Sequence, residues 1–104
     1  MLVEQRTYTL HPGQTATFLD AYRGGVCDLQ VRVLGTLIGY FTTEIGPLNQ
    51  VVHLWGYESL DERLQRRKAL FEAPEWQAFL RKVLPLIVTM ENKILIPTAF
   101  SPIR

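Results

Sequence analysis

The sequence predicts an α+β fold of the ferredoxin-like type, β-α-β-β-α-(α)-β, on one four-stranded antiparallel sheet. Three observations carry that prediction. The apolar period alternates between strand and helix spacing in the order strand, helix, strand, strand, helix pair, strand. No repeat divides the chain and no low-complexity linker interrupts it, so residues 1–104 read as a single domain. The second and third strands carry apolar bulk on both parities, although helices hide only one face of a sheet.

"VEQRTYTL" (3–10) alternates and is rich in Thr and Tyr, which suits a first strand. "HPG" (11–13) stops it, because Pro12 fixes its own φ. From Thr15 the spacing changes: Phe18, Leu19, Tyr22 and Val26 fall at steps of three and four, on one face of a helix. Gly24-Gly25 weakens that helix by ~1 kcal/mol per glycine, so a break is expected near 24 with a further turn through Asp28 to Arg32. "GTLIGYFTTEIG" (35–46) and "NQVVHLWGYES" (49–59) are the second and third strands, joined through "IGPLN" as a short hairpin.

"SLDE" from Ser59 has the form of a capping box, with Asp61 and Glu62 at the positive end of the helix it opens. Leu60, Leu64 and Phe71 are expected to form the buried stripe of that helix. Arg63, Arg66, Arg67 and Lys68 are expected to spread over its solvent face. Pro74 restarts the chain as a first helical residue, Trp76, Phe79, Leu80 and Val83 supply the next apolar face, and Pro85 ends it. "NKILIP" (92–97) reads as the last strand and "TAFSPIR" as a tail. Right-handed crossovers place both helical layers on the same side of the sheet.

That side leaves the other bare. The second strand offers Leu37 and Phe41 on one parity and Ile38 and Tyr40 on the other, and the third sets Val52 and Leu54 against Val51, Trp55 and Tyr57. A wet face of that composition is larger than monomers usually tolerate, so a two-fold homodimer pairing sheet to sheet is expected. Parity alone does not say which face meets the helices. If Trp55 lies between the sheets, Trp55→Asp gives monomers or aggregates.

Composition narrows the partners. An apolar fraction of 47% suits a folded globule, and a formal net charge of +1 supplies no strong field for nucleic acid or an anionic membrane. No apolar run is long enough to span a bilayer, and "MLVEQRTYTL" lacks the organisation of a signal peptide. Cys27 is the single cysteine, which excludes disulfides within the chain and suits a reducing, cytoplasmic setting. Nothing nearby in sequence activates it as a nucleophile, so a plain thiol is expected.

The candidate chemistry lies on the strands. His53, beside aromatic rings, is a candidate acid–base group or a ligand of haem or a metal; the plainer reading is a hydrogen-bonded histidine in or beside the dimer contact. Tyr40, Trp55 and Tyr57 can stack on a planar apolar ligand, or serve as interface aromatics. Arg6 shares a parity with Glu4 and Tyr8, and needs an anion: Glu4, Glu44, Glu91 or a ligand carboxylate. Ligand contacts are therefore expected from Arg6, Tyr8, Tyr40, His53, Trp55 and Tyr57, with His53 and Tyr40 managing protons if the protein is an enzyme. His11, in a turn, pairs with nothing. No metal-ligand spacing, phosphate loop or nucleophile elbow is present, so neither a metal site nor a cofactor is expected.

"VEQRTYTLHPGQ", "LIGYFTTEIGPLNQVVHLWGYESLDERLQRR", "PEWQAFLRKVLPLIVTMENKIL" and "FSP" together resemble the NIPSNAP family over nearly the whole chain, most specifically from Gly39 to Arg63. The resemblance implies the dimeric α/β-barrel architecture, in which two ferredoxin-like protomers pair their sheets with helices outside. Related families of that architecture include small monooxygenases and haem-degrading enzymes with pockets between sheet and helices. The resemblance carries no residue-level catalytic motif. The sequence departs from the family at "YRGGVCDLQVRVLG" (22–35), where a longer, more regular helix is usual. The leading expectation is a homodimeric protein with no defined reaction that binds a small apolar or planar molecule in a pocket between sheet and helices. The alternatives are a cofactor-independent monooxygenase or related oxidoreductase and, more weakly, haem binding through His53.

Overall fold

Strand β1 (Leu2–Leu10) holds an inner position because its neighbours on both sides pair with it antiparallel: β3 (Gln50–Tyr57) and β4 (Ile87–Leu95). Strand β2 (Thr36–Thr42) pairs with the far side of β3, which gives the order β2-β3-β1-β4. The computed structural model describes residues 1–104, and its sheet is the ferredoxin-like one. Helices α1 (Thr15–Arg23) and α2 (Val26–Leu34) connect β1 to β2, and α3 (Leu60–Glu72) and α4 (Pro74–Val83) connect β3 to β4.

Several boundaries differ from the sequence expectation. The Gly24-Gly25 break is followed by a full nine-residue helix rather than a single turn, because Gly25 takes φ 97° and redirects the chain while Leu29 and Leu34 still reach the core. Strand β2 ends at Thr42, and residues 43–49 form an irregular connection with positive φ at Gly46 and Asn49. The last strand starts at Ile87 rather than 92 and ends at Leu95, because the turn at Leu84–Leu86 delivers the chain directly beside Leu10.

Helices cover the face that carries Leu2, Glu4, Arg6, Tyr8 and Leu10 on β1 and Val51, His53, Trp55 and Tyr57 on β3. The core runs from these residues to Phe18, Tyr22, Leu29, Leu34, Leu70, Phe79 and Val83 on the helices. Trp55 is fully buried on this side, so the idea that it lies between two sheets is corrected. The opposite face carries Val3, Thr7, Val52, Leu54 and Phe41, with no helix above it. Tail residues close part of it: a recess of about 220 Å³ lies among Val3, Ile38, Leu54, Ile96 and Ile103.

Helix α3 turns out differently from its expected stripe. Leu60, Leu64 and Phe71 are exposed (57%, 66% and 45%), and Leu70 is its only fully buried residue. Arg63, Arg66 and Arg67 are half-buried instead of solvent-facing. Two of them have direct partners: Arg63 reaches Glu4 on β1, and Arg66 donates to the Val33 carbonyl at the end of α2. Their aliphatic stems cover apolar surface on the way. The cap is as expected, with Ser59 Oγ accepting from the Glu62 N–H and Glu62 accepting from the Glu58 N–H.

Candidate functional site

All six sequence-predicted ligand residues fall on the helix-facing side of the sheet. In register, Arg6 lies opposite His53, which lies opposite Tyr40; Glu4 lies opposite Trp55, and Leu2 opposite Tyr57. The Tyr40 ring stacks on His53 at 4.5 Å, and Tyr8 meets the other side of that ring edge-on at 5.1 Å. Tyr22 on α1 leans on Tyr40 at 4.8 Å. The Trp55 indole N–H donates to His53 Nδ1 at 2.7 Å. These aromatics are packed against each other with no cavity among them.

Beside them lies a polar cluster. Glu4 Oε2 accepts from Arg6 at 3.0 Å, Arg63 at 2.7 Å and Asn92 of β4 at 2.8 Å, and Arg6 Nε donates to the Tyr8 hydroxyl at 2.9 Å. Arg6 thus finds its anion inside the chain, one of the options its position allowed. Burial alone would raise the Glu4 carboxyl, but hydrogen bonds from Arg63 and Asn92 and the charge of Arg6 outweigh it and hold it at about 2. His53 is driven the other way: burial first, then the Arg6 charge, lowers it to about 3. Burial pushes Tyr40 and Tyr57 up.

Four buried polar atoms in this region have no partner in the chain: Glu4 Oε1, His53 Nε2, Tyr57 OH and Arg63 Nε. Buried polar atoms are ordinarily satisfied, and this concentration makes the region the candidate site. Sequence reasoning missed Arg63, Arg67 and Asn92. Asn92 carries no distinguishing signal inside a strand, whereas Arg63 and Arg67 share a helical face with Leu70, which is legible once a buried acid on β1 is assumed.

The helical layer does not reach β4. Met90, Asn92 and Ile94 share the helix-side face with Tyr8, Arg6 and Glu4, and all three are exposed. No cluster of potential metal ligands occurs in the structure. No helix is long and apolar enough to cross a membrane. A wider recess, about 410 Å³, lies on the outer surface between α1 and α4 beside Asp20, Glu75 and Lys82, and includes none of the predicted residues.

Fold and site together define a ferredoxin-like α+β protein with a buried polar cluster between sheet and helices. The NIPSNAP family model matches residues 3–102, and the chain belongs to that family. A NIPSNAP family protein from Agrobacterium tumefaciens strain C58 is 48% identical, superposes with a TM-score of 0.96, and shares 99% of this chain and 98% of its own. An uncharacterised NIPSNAP-like domain protein from Burkholderia xenovorans is 53% identical with a TM-score of 0.91 over 97% of this chain and 88% of its own. Protein NipSnap homolog 3A of Homo sapiens is 37% identical over 97% of this chain; the chain spans 41% of that relative's length. A putative antibiotic biosynthesis monooxygenase from Nitrosomonas europaea, 13% identical, has a TM-score of 0.70 over 96% of this chain and 100% of its own, which is a likeness of fold.

Proposed function

We propose that this protein is a homodimer that binds a small apolar or planar molecule on the helix-facing side of its sheet. The observation that carries this reading is the bare strip of that face along β4, where Met90, Asn92 and Ile94 stand exposed beside Tyr8 and Arg6. A ligand entering beside β4 meets Tyr8 and Arg6 first. Tyr40, His53, Trp55 and Tyr57 form the packed wall behind them, holding the two contact residues in place. Dimerisation is supported from the other face, where apolar residues lie without a helical cover.

Acid–base chemistry is less well supported. Because Nδ1 accepts the Trp55 N–H, the neutral His53 ring carries its own hydrogen on Nε2 and has no free lone pair for a proton or for iron. With His53 lowered to about 3 and Tyr40 raised by burial, neither group is tuned to exchange protons near neutrality. The alternative, a monooxygenase, rests on the likeness of fold to the Nitrosomonas europaea protein.

Titration with naphthol tests the binding reading. Saturable amide shifts are expected along Met90–Ile94 and at Tyr8, and Tyr8→Ala should weaken binding about tenfold, the scale of one lost aromatic contact. Absence of saturation, or shifts confined to the outer surface of α1 and α4, would reject it. Oxygen uptake with a quinol, abolished by Trp55→Phe, would favour the monooxygenase instead.

A further inference from the structure

Helix α3 carries a charge that no direct hydrogen bond or ion pair within the chain answers. Glu4 is the buried acid beneath α3, and its Oε2 is already shared by Arg6, Arg63 and Asn92. Glu62 is engaged by Arg66, and Glu91 lies opposite Thr7 on the other face of the sheet. Arg67 forms no hydrogen bond and no ion pair; its one polar-sensitive contact is the Phe71 ring, 5.6 Å from the guanidinium carbon. Half-buried, with Arg6 and Arg63 close by, it sits in a region where guanidinium groups outnumber carboxylates. Burial, then the charge of Arg6, lowers its pKa, and the charge of Glu4 offsets this only in part, so an incoming anion would relieve it.

The apolar setting is equally one-sided. At 100° per residue, Leu60, Leu64 and Phe71 follow Arg63 and Arg67 around α3 on the flank turned away from Arg66, the residue that contacts α2. Arg63 and Asn92 meet on the same carboxylate oxygen, so this flank borders β4. There Met90 and Ile94 stand 48% and 39% exposed. An exposed apolar lane therefore runs on both sides of an unanswered cation. Cations are repelled there, and a strongly hydrated phosphate would gain nothing from the flanking leucines.

We propose that the exposed strip between α3 and β4 receives a carboxylate-headed apolar molecule, with Arg67 taking the carboxylate and Met90, Ile94, Leu64 and Phe71 flanking the apolar body. The proposal rests on the small-molecule reading above and names the class of ligand. Arg67 offers a planar fork that matches a carboxylate at two points.

Calorimetric titration with decanoate and decanol tests it. Decanoate should bind the wild-type protein at least tenfold more tightly than decanol, and Arg67→Met should abolish that preference while leaving decanol unchanged. Removing an unpaired charge should not lower the melting temperature, so lost binding is separable from unfolding. Ile94→Glu, at an exposed position, is the second variant: it should weaken decanoate about tenfold and decanol much less, because only the former is repelled. Equal affinities for the two ligands, or full decanoate affinity in Arg67→Met, would overturn the assignment and leave the binding reading standing. If decanoate, decanol and naphthol all fail to bind, both fall. A change of oligomeric mass in Arg67→Met would mean that a second copy occupies the strip, and would also overturn it.

Discussion

Trp55 Nε1 donates to His53 Nδ1, and that bond, together with burial, keeps the imidazole neutral. Protonation would put a second donor where Trp55 already donates, and add a charge near Arg6. The unfolded chain has no such restriction and takes up the proton near the usual value of 6.5. Below that pH the unfolded state therefore binds more protons than the folded one, and stability falls as pH falls. The window runs from 6.5 down to about 3. The slope approaches ~1.4 kcal/mol per pH unit, so about 2 kcal/mol should be lost by pH 5. Glu4 adds a second loss in the same direction: its depressed carboxyl stabilises the fold above 4.5, and that contribution disappears as pH falls to about 2. Urea midpoints measured between pH 8 and 4 should be level above 7 and then decline. His53→Gln, which can still accept from Trp55, should flatten the decline between 6.5 and 5. An unchanged decline in that variant would mean that His53 is not the group responsible.

At the scale of the element, α3 is where sequence and structure part company, and the reason is specific. Its leucines fall at Leu60, Leu64 and Phe71, an apolar stripe that pattern reasoning turns inward. The fold turns Arg63 and Leu70 inward instead, because β1 buries an acid beneath the helix and burying Glu4 without a cationic partner would cost several kcal/mol. A demand set by another strand is invisible to a window along one helix. Where the elements are decided locally, the sequence was readable: the Ser59 cap, Pro74 as a first helical residue and the alternation of β1 and β3 all stand as expected. The site was half readable. Strand parity brought Arg6, Tyr8, Tyr40, His53, Trp55 and Tyr57 to one face, but the contributions of α3 and Asn92 depend on long-range placement. The two readings of α3 predict opposite stabilities. Leu70→Ala should cost 2–5 kcal/mol in roughly the range of fully buried leucines, whereas Leu64→Gln should stay within about 0.5 kcal/mol of wild type. Equilibrium unfolding of the two variants decides between them; a large loss in Leu64→Gln would mean that the stripe is covered.

At the scale of the molecule, one sheet and one helical layer make a slab with principal extents of 39 × 35 × 19 Å. Its radius of gyration, 14.1 Å, exceeds the ~13 Å expected of a compact chain of this size, as a two-layer plate should. The helices meet only the face of His53 and Trp55, so the face of Val52, Leu54 and Phe41 relies on the tail residues near Ile103 and, as proposed, on a second copy. Two plates meeting there place both helical layers outside, which leaves the strip along β4 reachable in each protomer. This separates the consequences of two neighbouring residues. Leu54 and Trp55 point to opposite faces, so Leu54→Asp should give a folded monomer, whereas Trp55→Asp should unfold the chain rather than divide the dimer. Light scattering and far-ultraviolet circular dichroism on both variants read these outcomes directly. A wild-type monomer at micromolar concentration would remove the dimer, and a folded monomer from Trp55→Asp would reverse the assignment of faces.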